Sequence, residues 1–213
     1  MKTARMLVVC LAVSAAPAAL AQKWEFGGAG GYGFNTSKDA TRPTEKATAK
    51  IKPGVAGSAW LSNNTSLRWG GEIRYDYQRG DLQLKQGSTE ANFSAETHAI
   101  HYDFQWHATD ADSASRPYVA FGGGVKVFRG TGTEQLTQPL SRFALLTKTQ
   151  EVQGMLSIGA GIKTKINDRW QFRIDVHDYI TPFPKDVITP NLGTNIGGMM
   201  HSIVPTVGIS WTK

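Results

Sequence analysis

One cysteine, Cys10, is all the chain carries, and it lies inside an N-terminal apolar stretch. Zinc–thiolate sites, cysteine nucleophiles and disulfide staples are thereby excluded from everything that follows. Long apolar runs are missing as well. Beyond Ala21 none approaches the roughly 18 residues that suggest a membrane helix, so a helical membrane protein is not expected. Nor is there a block of Lys or Arg. The 23 basic and 17 acidic residues are dispersed, and their net charge of +6 suits anionic lipid headgroups, lipopolysaccharide or plain loop solubility, not nucleic acid.

The first residues point to export. Met1-Lys2-Thr3-Ala4-Arg5 is a basic start, Met6 to Ala16 is an apolar core too short to span a bilayer, and Ala19-Leu20-Ala21 is a small-residue cleavage site before Gln22. Residues 1–21 are therefore expected to be a cleaved secretory signal, with 22–213 a single domain. A lipoprotein signal at Cys10 is the alternative, disfavoured because that cysteine sits behind Val8-Val9 within the apolar stretch.

What the rest of the chain has is period-two alternation, the pattern of strands with two unlike faces. Eight segments carry it, beginning with about Lys23 to Phe34 and about Ala47 to Leu61. In the third, Trp69, Ile73, Tyr75 and Tyr77 oppose Glu72, Arg74, Asp76 and Gln78. In the fourth, Ile100, Tyr102, Phe104 and Trp106 oppose His101, Asp103, Gln105 and His107. The fifth sets Val125 and Val127 against Lys126, and the sixth Ile158 and Ile162 against Gly159 and Lys163. The seventh sets Trp170, Phe172, Ile174 and Val176 against Gln171, Arg173, Asp175 and His177, and the eighth sets Val207, Ile209 and Trp211 against Thr206, Gly208 and Ser210.

Connections alternate in length. Segments 35–46, 79–92, 129–148 and 181–199 are long, while 62–66, 108–115 and 167–168 are short, which predicts an all-β, eight-stranded antiparallel up-and-down barrel with both termini on the turn side. Trp24, Trp69, Trp106, Trp170 and Trp211 all fall at that side, as amphipathic indoles at one lipid–water boundary would. Trp60 falls in the polar phase of its strand, which calls for either a bulge or an inward-pointing ring.

Alternation does not say which face is inside, because a soluble lipocalin-like barrel has the same period. Composition decides it. The polar phase mixes complementary charges with Gly, Ala and Ser, as a narrow polar lumen requires, and the apolar phase is aromatic at its ends and aliphatic between. A transmembrane barrel is expected, with Glu72, Arg74, Asp76, Asp103, Lys126, Arg173, Asp175 and His177 forming a lumenal charge network. Eight strands leave a lumen that side chains fill, so these charges must pair, and counting from the rim puts Glu72 and Arg173 at similar heights.

The glycine-rich first strand Trp24-Glu25-Phe26-Gly27-Gly28-Ala29-Gly30-Gly31-Tyr32, the strand Trp170 to Tyr179 and the final Val207-Gly208-Ile209-Ser210-Trp211 resemble the small outer-membrane β-barrel family related to OmpA and OmpX. The resemblance spans the mature chain and rests on barrel periodicity. It implies a location in the bacterial outer membrane, outer-membrane lipid and lipopolysaccharide as surroundings, and assembly machinery that recognises the C-terminal strand. That family usually ends on an aromatic residue, whereas Thr212 and Lys213 follow Trp211, and no cell-wall-binding domain is expected after the barrel. The implied role is non-enzymatic: envelope integrity, surface recognition or adhesion through four exposed loops whose ligand is unknown.

Other motifs carry less. Gly28, Gly30 and Gly33 match GxGxxG, but inside an alternating strand rather than between a strand and a helix, so no nucleotide and no other cofactor is expected. The acceptor-like triplets at Asn35, Asn63 and Asn92 are short enough to arise by chance. His98, His101 and His107 lack metal-ligand spacing. Asp175 and His177 share a face and could form a hydrolase dyad acting on lipid A or peptide, but no serine stands in a nucleophile setting. A narrow solute channel is the remaining alternative.

Overall fold

The computed structural model describes residues 23–64, 66–135 and 137–213; the expected signal peptide, its cleavage site and Cys10 lie outside the described residues. In chain order the strands are β1 (Lys23–Asn35), β2 (Lys38–Thr41), β3 (Lys46–Ile51), β4 (Gly54–Asn64), β5 (Trp69–Arg79), β6 (Leu82–Gln86) and β7 (Thr89–Phe93). They continue with β8 (Ala95–His107), β9 (Ser115–Gly130), β10 (Ala144–Leu146), β11 (Gln150–Lys165), β12 (Trp170–Pro182), β13 (Ile188–Pro190) and β14 (Met199–Thr212). Eight of them close an antiparallel barrel in the order β1-β14-β12-β11-β9-β8-β5-β4. Closure satisfies the backbone of every barrel strand from within, the condition for crossing lipid. One ladder is interrupted: between β1 and β14 the pairing stops after Gly31↔Thr206 and resumes at Phe34↔Ile203, beside Pro205, which has no N–H to give.

The two faces are sorted as a membrane barrel requires. Val55, Leu61, Ile73, Ile100, Phe104, Phe121, Val125, Ile158, Phe172, Ile174, Val207 and Ile209 all stand exposed on the outside, while the opposite phase is buried and polar. A soluble barrel would invert this arrangement. At the turn end Trp69 lies beside Trp106 and Trp170 beside Trp211 in register, and the Trp211 ring is 5.1 Å from Phe26. Trp24, Trp69, Trp106 and Trp170 are exposed and Trp211 is half-buried.

Trp60 points inward without a bulge, since the β1–β4 pairing is unbroken around it. Gly27 makes the space. A Cβ there would stand 2.6 Å from the Trp60 ring and 2.6 Å from the Ile209 carbonyl oxygen.

Two expectations about segments need correction. The second alternating segment is not one strand from Ala47 to Leu61: it breaks at Lys52-Pro53 into β3 and β4, and only β4 belongs to the barrel. Ile51 is buried and Val55 is exposed despite their shared phase, because the chain bends between them. The bend is tight. The Lys52 amide donates to the Asp81 carbonyl at 2.7 Å, and a Cβ on Gly54 would sit 1.5 Å from the Arg79 carbonyl oxygen.

The long connections, expected as loops, are themselves folded. β2, β3, β6 and β7 make a four-stranded sheet in the order β2-β3-β6-β7, and β10 pairs with β13. These pieces share an apolar core over the barrel mouth that includes Ile51, Leu82, Leu84, Phe93, Phe128, Phe143, Leu146, Phe183, Val187, Ile188 and Met200. Each fully buried Leu, Ile or Phe contributes on the order of 1.5–3 kcal/mol, enough to order segments that bare turns would leave loose.

Candidate functional site

Two interiors are stacked along the barrel axis, a charged lumen and an apolar cap. Inward phase on all eight barrel strands sets the lumen, because successive residues of a strand alternate faces and every second one meets the axis.

Nearest the turns, Lys163 donates to Glu25 at 2.8 Å and to Gln105 at 3.0 Å, and the Trp60 indole N–H reaches Glu25 at 3.3 Å. Above it Arg173 holds Glu72 through two bonds, Nη1 to Oε2 at 2.6 Å and Nη2 to Oε1 at 2.9 Å. Ser62 and Gln105 each complete the Glu72 shell at 2.7 Å. The Arg173 guanidinium is also stacked 4.4 Å from the Trp60 ring. A planar cation between a carboxylate and an indole face is a geometry that arginine supplies and lysine does not.

The next layer is a closed circuit of alternating groups. Arg74 bonds Asp76 at 3.1 Å; His101 bridges Asp76 and Asp103 at 3.0 Å on each side. His177 stands 3.4 Å from both Asp103 and Asp175, and Asp175 returns to Arg74 at 3.2 Å. Arg173 Nε, Tyr118 and Thr206 add bonds to Asp175, while Tyr179 and Ser58 add bonds to Asp76. Gly159 leaves room for the His177 ring, which a Cβ would meet at 2.5 Å. At the top Lys126 donates to Ser202 at 2.8 Å between the rings of Phe128 and Tyr179, where the polar interior gives way to the cap.

All eight residues named for the lumen are buried, and seven of them join one network; Lys126 stands apart at the upper end. Glu25, Trp60, Gln105, Tyr118, Lys163 and Tyr179 belong to the same interior. Their signal was present in the sequence as inward phase. The expected network passed over the neutral donors and also the charged pair Glu25 and Lys163, whose partners come together only on barrel closure.

The arrangement is chemically occupied. Both oxygens of Asp175 are taken by arginine, tyrosine and threonine donors, and His177 has no exposed surface. His98 faces outward, bonded to Tyr75 at 2.7 Å, whereas His101 and His107 face inward at different heights. Among the described residues no group of His, Cys, Asp and Glu is placed to hold a metal ion.

The cap carries ion pairs of an ordinary exposed kind. Lys85 meets Glu90 at 2.8 Å and holds that carboxyl below the usual carboxylate range, and Arg142 joins Glu45 at 2.8 Å across two connections. Such pairs orient loops more than they stabilise them.

Comparison with known proteins agrees with this architecture. A search of curated proteins found no match. Among solved structures, the outer membrane protein OprG from Pseudomonas aeruginosa aligns at a TM-score of 0.58 and 15% identity, over 90% of this chain and 97% of that one. Neisserial surface protein A aligns at 0.52 and 9% identity, over 89% and 96%. These likenesses are of fold. The family model described as outer membrane protein beta-barrel domain matches residues 6–196, so the chain belongs to that family and is a protein of the outer membrane.

Proposed function

We propose that this protein is a non-enzymatic, non-conducting barrel that anchors a folded recognition platform at the cell surface. One observation carries the reading: all four long connections contribute to a single apolar core above the lumen, so that they form a shaped surface and not four independent tethers. The interior supports it from below. A lumen filled by paired charges leaves no continuous aqueous path, and removing water from an unpaired ion there would cost several kcal/mol. The eight named lumenal residues act in this reading as a structural lock, and the five rim tryptophans as the inner-boundary belt of the bilayer. Lipopolysaccharide surrounds the outer half, and the assembly machinery engages β14.

The test is twofold. Purified protein in planar bilayers should give no steps of porin size and should hydrolyse neither lipid A nor peptides. Cells displaying the protein should adhere to surfaces coated with matrix proteins or glycans, and shortening the four connections to tight turns should abolish that adhesion while the barrel still folds. Porin-scale conductance, or adhesion indifferent to the shortened connections, overturns the proposal.

A further inference from the structure

The barrel wall measures out the membrane. On β12 Pro182 lies twelve residues above Trp170, and on β14 Met199 lies twelve residues above Trp211, with Trp170↔Trp211 and Pro182↔Met199 each in register. At about 3.3 Å per residue and a tilt of about 40°, the two pairs stand about 30 Å apart along the axis, the thickness of a hydrocarbon core. Whatever lies just beyond Pro182 and Met199 therefore meets the headgroup layer of the far leaflet. With the long connections outward, as outer-membrane barrels insert, that leaflet is the outer one.

Three separate stretches of chain converge there. Gly197-Gly198 leads directly into β14, Lys38 follows the end of β1 by three residues, and Lys185 follows the end of β12 by three. β1 and β12 are the two barrel neighbours of β14, so the lysines approach the glycine pair from either side. A Cβ on Gly197 would stand 3.5 Å from the Lys185 Nζ, and one on Gly198 would stand 3.7 Å from the Lys38 Nζ. The space that two side chains would fill is left open and is bordered by two ammonium groups. Gly198, at φ 95°, also holds a left-handed backbone that glycine adopts without strain. Among the described residues neither lysine has an ion pair, and the N–H groups of Gly197 and Gly198 have no backbone partner. Of the neighbouring carboxylates, Asp178 is bonded to His201 at 2.7 Å lower on the same wall, and Asp39 alternates to the opposite face of β2 from Lys38. Asp186 is exposed and paired with neither lysine.

We propose that Lys38, Lys185 and the Gly197-Gly198 backbone bind a phosphate group of lipid A, the membrane anchor of lipopolysaccharide, at the upper edge of the barrel. A phosphate monoester carries about −1.5 to −2 charge at neutral pH and three terminal oxygens, enough for two ammonium groups and a backbone N–H at once. A carboxylate, with one charge, does not match both lysines. The wall beneath supplies the rest of a lipid site. Phe34 and Ile203 pair across β1 and β14 with both side chains exposed, and Val207 continues the apolar face downward. An acyl chain descending from the bound headgroup meets this face, whereas a free phosphate ion uses none of it. The inference is independent of what the cap recognises, and its failure leaves the platform reading intact.

The experiment uses the full chain refolded in detergent, lipid A in bisphosphorylated and dephosphorylated forms, and native mass spectrometry to read the lipid-bound fraction across a titration. Lys38→Gln combined with Lys185→Gln should weaken binding of bisphosphorylated lipid A about thirtyfold, as the loss of two cations at a charged lipid surface implies. Lys46→Gln combined with Lys148→Gln removes the same charge from exposed cap positions outside the cluster and should leave binding within about twofold. On the wild-type protein, dephosphorylated lipid A should bind as weakly as the bisphosphorylated form binds the Lys38→Gln, Lys185→Gln variant, a comparison that stands even if a variant misfolds. Inorganic phosphate at millimolar concentration should not displace the lipid. Equal binding of the two lipid forms, or a Lys38→Gln, Lys185→Gln variant that binds like the wild type, overturns the assignment. An equal loss in the control variant also overturns it, since net charge and not the site would then bind. Displacement by millimolar phosphate overturns the lipid in favour of a free anion.

Discussion

Arg173 shows how much of the interior depends on single side chains. It binds Glu72 through two bonds, Asp175 through Nε at 2.6 Å, and lies against Trp60, with almost no exposed surface. A pair so buried has exchanged two hydration shells for each other, and truncating one member strands the other's charge. Arg173→Ala is expected to destabilise the barrel by roughly 3–5 kcal/mol, measured from its unfolding midpoint in detergent. The Glu72→Ala, Arg173→Ala double variant should lose less than the sum of the two single losses, because no orphaned carboxylate remains at position 72. Strictly additive losses would show that the two groups are not energetically coupled.

At the scale of elements, alternation made the barrel strands legible because lipid and lumen impose opposite chemistry on successive residues. Ile174, between inward Arg173 and Asp175, is the clearest instance, exposed on the lipid side of β12. Ile174→Arg should cost about 2–4 kcal/mol at mid-bilayer and shift heat-modifiable migration toward the unfolded position; unchanged stability would mean that this face does not contact lipid. The same alternation misled where the chain left the membrane. Lys46 to Ile51 alternates as cleanly as Val55 to Leu61, yet its partners are β2 and β6 of the cap, and only the bend at Lys52-Pro53 separates the two. Short strands such as β10 and β13, at three residues each, are too brief for any period to emerge. Glu25 and Lys163 were legible by phase, but their pairing joins residues 138 positions apart and depends on barrel closure.

Taken whole, the molecule is polarised along its axis. Three short connections, the exposed tryptophans and the two ends of the described chain lie at one end, and the cap with its apolar core lies at the other. Outer-membrane barrels insert with short turns on the periplasmic side and long connections outside, so the cap is expected at the cell exterior. That orientation gives the tryptophan belt to the inner boundary of the bilayer and the surface of the cap to the medium. An epitope placed within 133–138 should therefore be labelled by antibody on intact cells, whereas one placed between Asp110 and Ser113, in the β8–β9 turn, should be labelled only after the outer membrane is permeabilised. Both tags sit in segments outside the barrel ladders, so neither insertion needs to break a strand pair. Reversed labelling would put the cap in the periplasm and remove the surface-recognition role together with the orientation.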